Sequence, residues 1–215
     1  PSAGCGGSGH TSGENAYASG FHTEASGEFS FSASKNTIAS NFCAVAFGNN
    51  TDARGEASFS AGSYTRASGF GSVCFGTNTI ALASNSLVIG KWNIPSGDSL
   101  QWHGTDPALT IGNGYSNSTR NDAFCALKNG DLFITGNLYQ SSDINLKTNI
   151  ITLDNALNKL VKISPVYYNF IDNKIFPSGE HIGIIAQEVQ QQFPELVKIC
   201  SNGTLAVDYA SLSAV

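Results

Sequence analysis

A fourteen-residue period runs without a gap through residues 13–82 and restricts the possible folds of this chain more than any other feature. In the five full copies the eleventh position is always Thr and the thirteenth is always Ala, and a fading sixth copy occupies residues 83–93. A unit this short cannot bury a core of its own, so consecutive copies must stack against one another. The full copies cover residues 13–26, 27–40, 41–54, 55–68 and 69–82.

Each copy contains a stretch in which small and bulky side chains alternate. The fourth and sixth positions are mostly Ala or Ser, and a bulky residue stands between them. An alternation with a period of two predicts a β-strand with one small-residue face and one bulky face. Gly recurs at the eighth position, where its access to positive φ predicts a sharp corner before a short second strand. The bulky fifth position holds Tyr17, Phe31, Val45, Phe59, Val73 and Leu87.

Stacked copies of this kind predict a mainly β protein built on a parallel β-solenoid, with about 4.8 Å between neighbouring strands. A coil of fourteen residues encloses a narrow interior, which suits the small side chains and excludes the bulky row. The bulky row therefore needs cover from outside the coil, since a long exposed apolar row is a binding or aggregation surface. Three solenoids that share a central apolar seam are the simplest closed arrangement, so we expect a homotrimer.

Two positions of the repeat, the tenth and the twelfth, change their residue from copy to copy. Tyr64 and Arg66 occupy them in the fourth copy, and His22 and Glu24 occupy them in the first. Variable surface positions on a regular scaffold are where a binding protein places its specificity. These four residues are therefore the candidate ligand contacts of the repeat region.

The repeats also carry a family resemblance, over about residues 13–93. The stretches "SFSAGSYTRASG" and "SVCFGTNTIALASNSLVIG" resemble the head repeats of YadA-like trimeric autotransporter adhesins. The resemblance implies a trimeric, left-handed parallel β-roll. It also implies a role in binding through variable surface positions, without naming the ligand.

Composition and charge exclude several classes of function. The formal net charge is −5 and only 13% of the residues are charged, so the basic surface that nucleic-acid binding requires is missing. No apolar run approaches the roughly 18 residues that span a bilayer, so we expect no membrane insertion. Because the chain starts at Pro1 and contains no Met, we expect it to be a piece of a longer protein.

The five cysteines are widely spaced and never form a CxxC pair, which favours unpaired thiols and a reducing compartment for folding. The four histidines are scattered as well, with no HExxH motif. We therefore predict no metal site and no cofactor.

The fourteen-residue period ends near residue 93. The composition and patterning of the sequence change there and again near residue 141. Residues 94–140 predict short strands at 108–111, 123–127 and 132–134, with turns at Asn113-Gly114 and Asn129-Gly130, and are interpreted as a neck or shaft. Residues 141–215 have the composition of a small α+β domain. They predict a helix over "LDNALNKLVK", strands over "SPVYYNFI", "ELVKIC" and "TLAVDY", a strand or tight turn over "HIGIIA", a helix over "QEVQQQF", and the start of a final helix at "ASLSAV" that the sequence cuts short.

This last segment resembles the intramolecular chaperone domain at the C-terminus of endosialidases, phage tail fibres and the myelin regulatory factor. The matching stretches are "SSDINLKTNI", "ALNKLVKISPVYYNF", "HIGIIAQEVQQQFPELV" and "LAVDYASLSAV". The resemblance implies a domain that trimerises, drives assembly of the fibre upstream and, in many members, cuts itself off with a Ser-Lys dyad. Carried over to this chain, Ser142 is the nucleophile, Asp143 stands beside it and Lys147 is the base, with cleavage between Ser141 and Ser142.

Two interpretations of these residues stay open at the level of sequence. A lysine that is partly desolvated in a subunit interface can lose its proton near neutral pH and activate a neighbouring hydroxyl. Alternatively, Ser142 and Asp143 only cap a turn or helix, and Lys147 belongs to a solvated face. Self-cleavage is therefore an uncertain enzymatic activity that acts only on the chain itself.

The leading functional hypothesis is the distal part of a homotrimeric virion fibre, such as a phage tail fibre, that attaches to a host cell-surface receptor or glycan. The free cysteines favour assembly in the host cytoplasm. The alternatives are a trimeric adhesin on a bacterial cell surface and a primarily self-processing endopeptidase. The domains expected are head repeats at 1–93, a connector at 94–140 and the chaperone at 141–215.

Overall fold

The computed structural model describes the backbone of residues 3–5 and both backbone and side chains of residues 9–215. The chain divides into a first unit that extends to Leu138 and a second from Tyr139 to Val215, except that Lys174–Pro177 groups with the first. The first unit begins with the following strands: β1 Ala3–Cys5, β2 His10–Thr11, β3 Tyr17–Phe21, β4 Glu24–Ala25, β5 Phe31–Lys35, β6 Ile38–Ala39, β7 Val45–Asn49, β8 Asp52–Ala53, β9 Phe59–Ser63, β10 Arg66–Ala67, β11 Val73–Thr77, β12 Ile80–Ala81 and β13 Leu87–Lys91.

These strands form a parallel β-solenoid, as the period predicts. Each coil gives one five-residue strand to a long sheet, in the order β1-β3-β5-β7-β9-β11-β13, and one two-residue strand to a second sheet, in the order β2-β4-β6-β8-β10-β12. Neighbouring coils pair in a fourteen-residue register, so that Tyr17 lies beside Phe31 and Phe31 beside Val45. Every column of the repeat thus becomes a continuous row along the solenoid.

The interior is filled by the small columns of the repeat. The fourth, sixth, eleventh and thirteenth positions of the five full copies are all buried, and the Ala of the thirteenth position is fully buried in each. The Thr of the eleventh position pairs with the sixth position of its own coil wherever that residue carries a polar atom: Ser32 Oγ lies 2.7 Å from Thr37 Oγ1, and Ser60 Oγ lies 2.8 Å from Thr65 Oγ1. The core of each coil is therefore a small, partly polar one.

The same pairing operates through sulfur in the fifth copy, where Cys74 Sγ lies 3.0 Å from Thr79 Oγ1. Burial raises the pKa of the Cys74 thiol, so the thiol keeps its proton and can take part in this hydrogen bond. In the two copies whose sixth position is Ala, Thr23 Oγ1 and Thr51 Oγ1 are buried with no hydrogen-bond partner in the described part of the chain. The invariant Thr is thus paired with the sixth position in three of the five copies, those in which that position carries a polar atom.

The prediction that the glycine of the eighth position forms the corner is wrong. Gly48 has the expected positive φ of 128° but lies inside β7, where a Cβ would meet the carbonyl oxygen of Gly62 at 2.1 Å. Glycine is required there because two backbones approach closely. The corner falls two residues later, at the tenth position, where Asn36, Asn50 and Tyr64 adopt left-handed φ values of 51° to 56°. Asn tolerates this conformation better than other residues with a side chain.

Ser34 occupies the eighth position of the second copy and carries a φ of 101°. We expect Ser34→Gly to raise the free energy of unfolding by about 1 kcal/mol, because relief of a backbone strain of about 1–3 kcal/mol exceeds the added entropy of a glycine in the unfolded chain, about 0.4–1 kcal/mol. Urea unfolding at a fixed protein concentration measures the difference. Ser34→Ala is the control, since it removes the hydroxyl and keeps the strain; an equal gain in both variants contradicts this explanation.

At the end of the solenoid, the side chain of Asn93 takes the place of the backbone that a further coil would supply. The fully buried Asn93, at the eleventh position of the sixth copy, accepts from the backbone N–H of Ile80 at 2.8 Å and donates to its carbonyl at 3.0 Å. In earlier coils a backbone carbonyl at this position accepts the corresponding bond, as Thr79 O does from Arg66 N. The Asn93 amide therefore satisfies the last strand of the second sheet.

The long sheet continues beyond the period with β14 Pro107–Asn113, β15 Asp122–Leu127 and β16 Leu132–Ile134. β14 is parallel to β13, with Leu109 beside Leu87, and the next two pairings are antiparallel. The turn at Asn129-Gly130 is confirmed, but the segment from Gly114 to Asn121 is a longer loop than the predicted turn at Asn113-Gly114, because Gly114 N bonds back to Lys91 O and so leaves the path of a hairpin.

A buried lysine holds the loop before β14 against the solenoid. The Lys128 side chain is fully buried, and its Nζ lies 3.7 Å from Asp106 Oδ2 and 3.3 Å from Ser84 Oγ. The ammonium also stands over the Trp102 ring, 4.5 Å from the centroid. Such a buried charge is tolerated because it is paired and hydrogen-bonded.

The second unit is small and only thinly packed. Its core consists of Ile163, Val189 and Phe193, against which partly buried apolar residues pack. The predicted first helix is shorter than its apolar spacing indicates, and Leu157 and Val161 on its expected inner face are exposed. The elements are a 3-10 helix at Ile144–Leu146, α1 Ala156–Leu160, β17 Pro165–Tyr168, β18 His181–Ile184, α2 Ala186–Gln192, a 3-10 helix at Pro194–Leu196, β19 Val197–Ile199, β20 Leu205–Val207 and α3 Tyr209–Leu212.

Candidate functional sites

Ser142 and Lys147 are brought together at the start of the second unit. The short 3-10 helix between them reverses the chain, and Lys147 Nζ donates to Ser142 Oγ at 2.7 Å. The backbone N–H of Lys147 donates to Ile144 O, which fixes where the lysine leaves the helix. A lysine nitrogen at this distance from a hydroxyl is placed to exchange a proton with it.

Asp143 is the N-cap of that 3-10 helix. Its carboxylate accepts from the backbone N–H of Asn145 at 2.8 Å and from the side-chain amide of the same residue at 2.9 Å. These bonds shape the turn that places Ser142 next to Lys147. All three residues are exposed in the single chain, as is every residue from 132 to 155.

Tyr64 and Arg66 line a groove of about 530 Å³ on the first unit, which follows the tenth and twelfth positions across several coils. His22 and Glu24 occupy the same columns but lie outside the groove, toward the start of the solenoid. The His22 ring packs edge-on against Phe21, with 4.0 Å between the centroids, and Glu24 belongs to β4. The structure therefore joins two of the four candidate contacts in one concave surface. The groove is lined by Asn36, Ile38, Asn50, Thr51, Asp52, Tyr64, Thr65, Arg66, Asn78, Ile80, Trp92, Asn117 and Arg120.

Charged groups are arranged asymmetrically around Asp52 in the groove. Arg54 Nε lies 2.6 Å and Arg66 Nε lies 3.4 Å from Asp52 Oδ2, so both guanidinium groups turn their inner edge to the same carboxylate. Of these two arginines only Arg66 lines the groove, and about half of its side chain is exposed. Its contact with Asp52 is made through Nε, on the inner edge of the guanidinium.

Arg120 closes one end of the groove, and no pattern in the sequence predicts it. Its Nη1 donates to the carbonyl oxygens of Asn93 at 2.9 Å and Asn78 at 3.2 Å, and its guanidinium stacks on Trp92 at 5.0 Å. Burial lowers the pKa of this guanidinium, which nevertheless stays charged because an arginine does not lose its proton in a protein. Arg120 joins the groove through the loop after β14, far along the chain from the repeats.

Large apolar side chains remain exposed on the outer face of the long sheet. At the fifth position Phe31 is 38% and Leu87 is 37% exposed, and at the seventh position Phe47 is 53% and Phe75 is 41% exposed. Rings in this row contact one another, as Tyr17 and Phe31 do in a stacked pair 5.4 Å apart. The predicted division into a small interior row and a bulky exterior row is confirmed.

Other groups in the described residues carry no further chemistry. Cys43, Cys74, Cys125 and Cys200 are free thiols, while the Cys5 side chain lies outside the described residues. No cluster of His, Cys, Asp or Glu in the described part of the chain has the arrangement of a metal site. Likewise, none of the described helices is both long and apolar enough to cross a lipid bilayer.

Comparison with known families finds matches in the repeat region and in the C-terminal segment. Residues 142–198 match the family described as chaperone of endosialidase. The YadA head domain repeat matches twice, at residues 12–32 and 67–91.

Among curated proteins, the long tail fiber protein Gp37 of Enterobacteria phage T2 is 38% identical over an alignment of 93 residues that covers 39% of this chain and 6% of that protein. The Gp37 of Enterobacteria phage K3 is 39% identical over an alignment of 80 residues that covers 33% of this chain and 6% of that protein. The chain thus spans a small part of the length of these relatives. The chain contains YadA head repeats within residues 12–91 and an endosialidase-type chaperone segment at residues 142–198, and over part of its length it is similar to long tail fiber proteins.

Proposed function

We propose that the chain forms the distal part of a homotrimeric virion fibre, assembled in the host cytoplasm, that attaches to a receptor or glycan on the host cell surface. The exposed apolar row on the long sheet carries this proposal. A row of Phe, Val and Leu side chains repeated in every coil is stable in water only when it is covered. Because the row runs the full length of the solenoid, a second and a third copy of the same solenoid provide a cover of matching length.

The second unit supports trimerisation independently. Its three-residue core is small, and large apolar side chains such as Ile151, Tyr167 and Ile182 are at least 70% exposed in the single chain. A domain of this size needs more apolar burial than one copy provides. We propose that residues 141–215 form the trimerising chaperone, residues 94–140 the connector and residues 1–93 the head.

We further propose that the chaperone cuts the chain between Ser141 and Ser142, and the 2.7 Å distance between Lys147 Nζ and Ser142 Oγ favours this activity. In the deprotonated form, Nζ accepts the hydroxyl proton while Oγ attacks the carbonyl carbon of Ser141. The peptide C–N bond then breaks, the proton passes to the nitrogen of Ser142, and Ser141 is held as an ester on Oγ. Water hydrolyses the ester, giving a carboxyl group at Ser141 and a free amino group at Ser142.

Sedimentation equilibrium of the Ser142→Ala chain, which should not cut itself, tests the proposal. We expect three times the monomer mass of 22.5 kDa. A monomeric mass at every concentration would contradict the proposal that the apolar row is covered in a trimer, and with it the proposed fibre. The alternative of a trimeric adhesin on a bacterial cell surface shares the trimer; detection of the protein in purified virions, and not in the host envelope fraction, separates the two.

A further inference from the structure

We propose that the groove along the tenth and twelfth positions binds an oligosaccharide that carries an acidic group, either a carboxylate or a phosphate. The proposal rests on the attachment function above and names the ligand class and the site. Arg66 and Tyr64 are the residues that provide specificity, and Arg120 forms the closed end. The chemistry of the groove, its charge and its position on the solenoid each support this assignment.

The groove has the dimensions of an extended chain of sugar rings. Its floor follows the tenth position from Asn36 to Trp92, which is five rungs of the solenoid. At about 4.8 Å per rung this distance is roughly 20 Å. An elongated groove with a regular floor suits a linear polymer better than a compact metabolite.

The side chains of the groove combine hydrogen-bonding and apolar groups. Asn36, Asn50 and Asn78 repeat amides at the tenth position, and Asn36 Nδ2 donates to Asn50 Oδ1 at 3.2 Å. The aromatic ring of Tyr64 interrupts this row, and Trp92, on which Arg120 stacks, ends it. Amides pair with sugar hydroxyls, and aromatic rings cover the apolar faces of sugar rings, so both kinds of group find a partner on an oligosaccharide.

The charge of the groove favours acidic oligosaccharides over neutral ones. Two arginines line the groove against one aspartate, although the whole chain has a net charge of −5. Arg66 turns Nε toward Asp52, so its outer nitrogens are left to bind a planar carboxylate or a phosphate.

The groove and the apolar row belong to different parts of each coil. The apolar row lies on the long sheet, whereas the groove lies at the corner and on the second sheet. Covering the apolar row in a trimer therefore uses a different surface from the one that binds sugar. Three equivalent grooves per trimer would add avidity on a surface that repeats the same sugar.

An array of immobilised oligosaccharides, with neutral, carboxylated and phosphorylated members, tests the proposal when probed with the intact trimer. We expect binding to acidic members and at least tenfold weaker binding to neutral members of the same backbone. Arg66→Gln should abolish the preference for acidic members. Arg54→Gln is the matched control, because Arg54 also pairs with Asp52 but lies outside the groove, and it should bind like the unchanged protein.

A second variant keeps the test independent of folding. Tyr64→Asn places the residue of three other coils at a left-handed position that Asn tolerates, so the solenoid should remain intact while binding falls at least tenfold. Absence of binding to every acidic member, unchanged binding by Arg66→Gln, or binding to polyglutamate in place of sugars each overturns the proposal. Sedimentation of the same samples shows separately whether the trimer, and with it the attachment function, survives.

Discussion

Ser142→Ala should leave the chain as one intact band on a denaturing gel, whereas the unchanged chain should give fragments of residues 1–141 and 142–215. The substitution removes the only atom that can form the ester with Ser141, and loss of a nucleophile lowers the rate of a serine hydrolase by about 10⁴-fold or more. Lys147→Ala should have a similar effect, since it removes the amine that is hydrogen-bonded to Oγ. Intact-mass spectrometry of the fragments gives the cleaved bond directly.

Matched substitutions separate catalysis from folding. Ser141→Ala changes the neighbouring hydroxyl on the acyl side of the bond, and Lys162→Ala removes another exposed lysine of the same unit, so both should still cut. An unchanged chain that stays intact after prolonged incubation as a trimer contradicts self-cleavage. Persistence of the cut in Ser142→Ala would assign the nucleophile to a different residue.

Phe59→Glu should lower the melting temperature of the trimer by about 10 °C. Phe59 occupies the middle of the apolar row, between Val45 and Val73, and its ring lies 5.3 Å from that of Phe75. In a trimer, the substitution places a carboxylate of every subunit in the seam, at a cost of several kcal/mol per buried charge. A loss of about 4 kcal/mol per chain corresponds to roughly 8–16 °C for a chain of this size.

The control is Tyr64→Glu, which makes the same aromatic-to-acid change in the same coil but outside the apolar row. It should leave the melting temperature within about 2 °C, since Tyr64 is 57% exposed and surface changes have small effects. Circular dichroism melts, with sedimentation velocity below the transition, measure both variants. Equal losses in the two proteins would show that the row is not the covered surface.

The periodic part of the fold can be predicted from the sequence because each position of the repeat lies in the same environment in every coil. Thr and Ala at fixed positions predict interior rows, and Thr65 and Ala67 are indeed buried. The sequence predicts the corner at the wrong position because glycine satisfies two different demands, a positive φ and a close backbone approach, and Gly48 meets both inside a strand. The Asn residues of the tenth position are the better signal for the corner, since Asn is the residue other than glycine that most readily adopts left-handed φ.

The candidate sites depend on contacts of different range. Ser142 and Lys147 are five residues apart, so a local turn is sufficient to bring them together. The groove includes Arg120, which reaches Asn78 over a separation of 42 residues. No periodicity encodes that contact, because it depends on the path of the irregular loop after β14. The first unit therefore shows a groove whose floor is encoded by the repeat and whose end wall is not.

The pairing of the interior Thr with the sixth position has a consequence for evolution by duplication. Ser32 with Thr37 and Ser60 with Thr65 are each completed within one coil, so a copied or deleted coil brings or removes both partners together. A gain or loss of whole coils then leaves every remaining interior pair intact and changes the length of the head in steps of about 4.8 Å. Recombination alone can therefore change how far the head reaches toward a target and how many rungs the groove has. The packing of the core does not need to change.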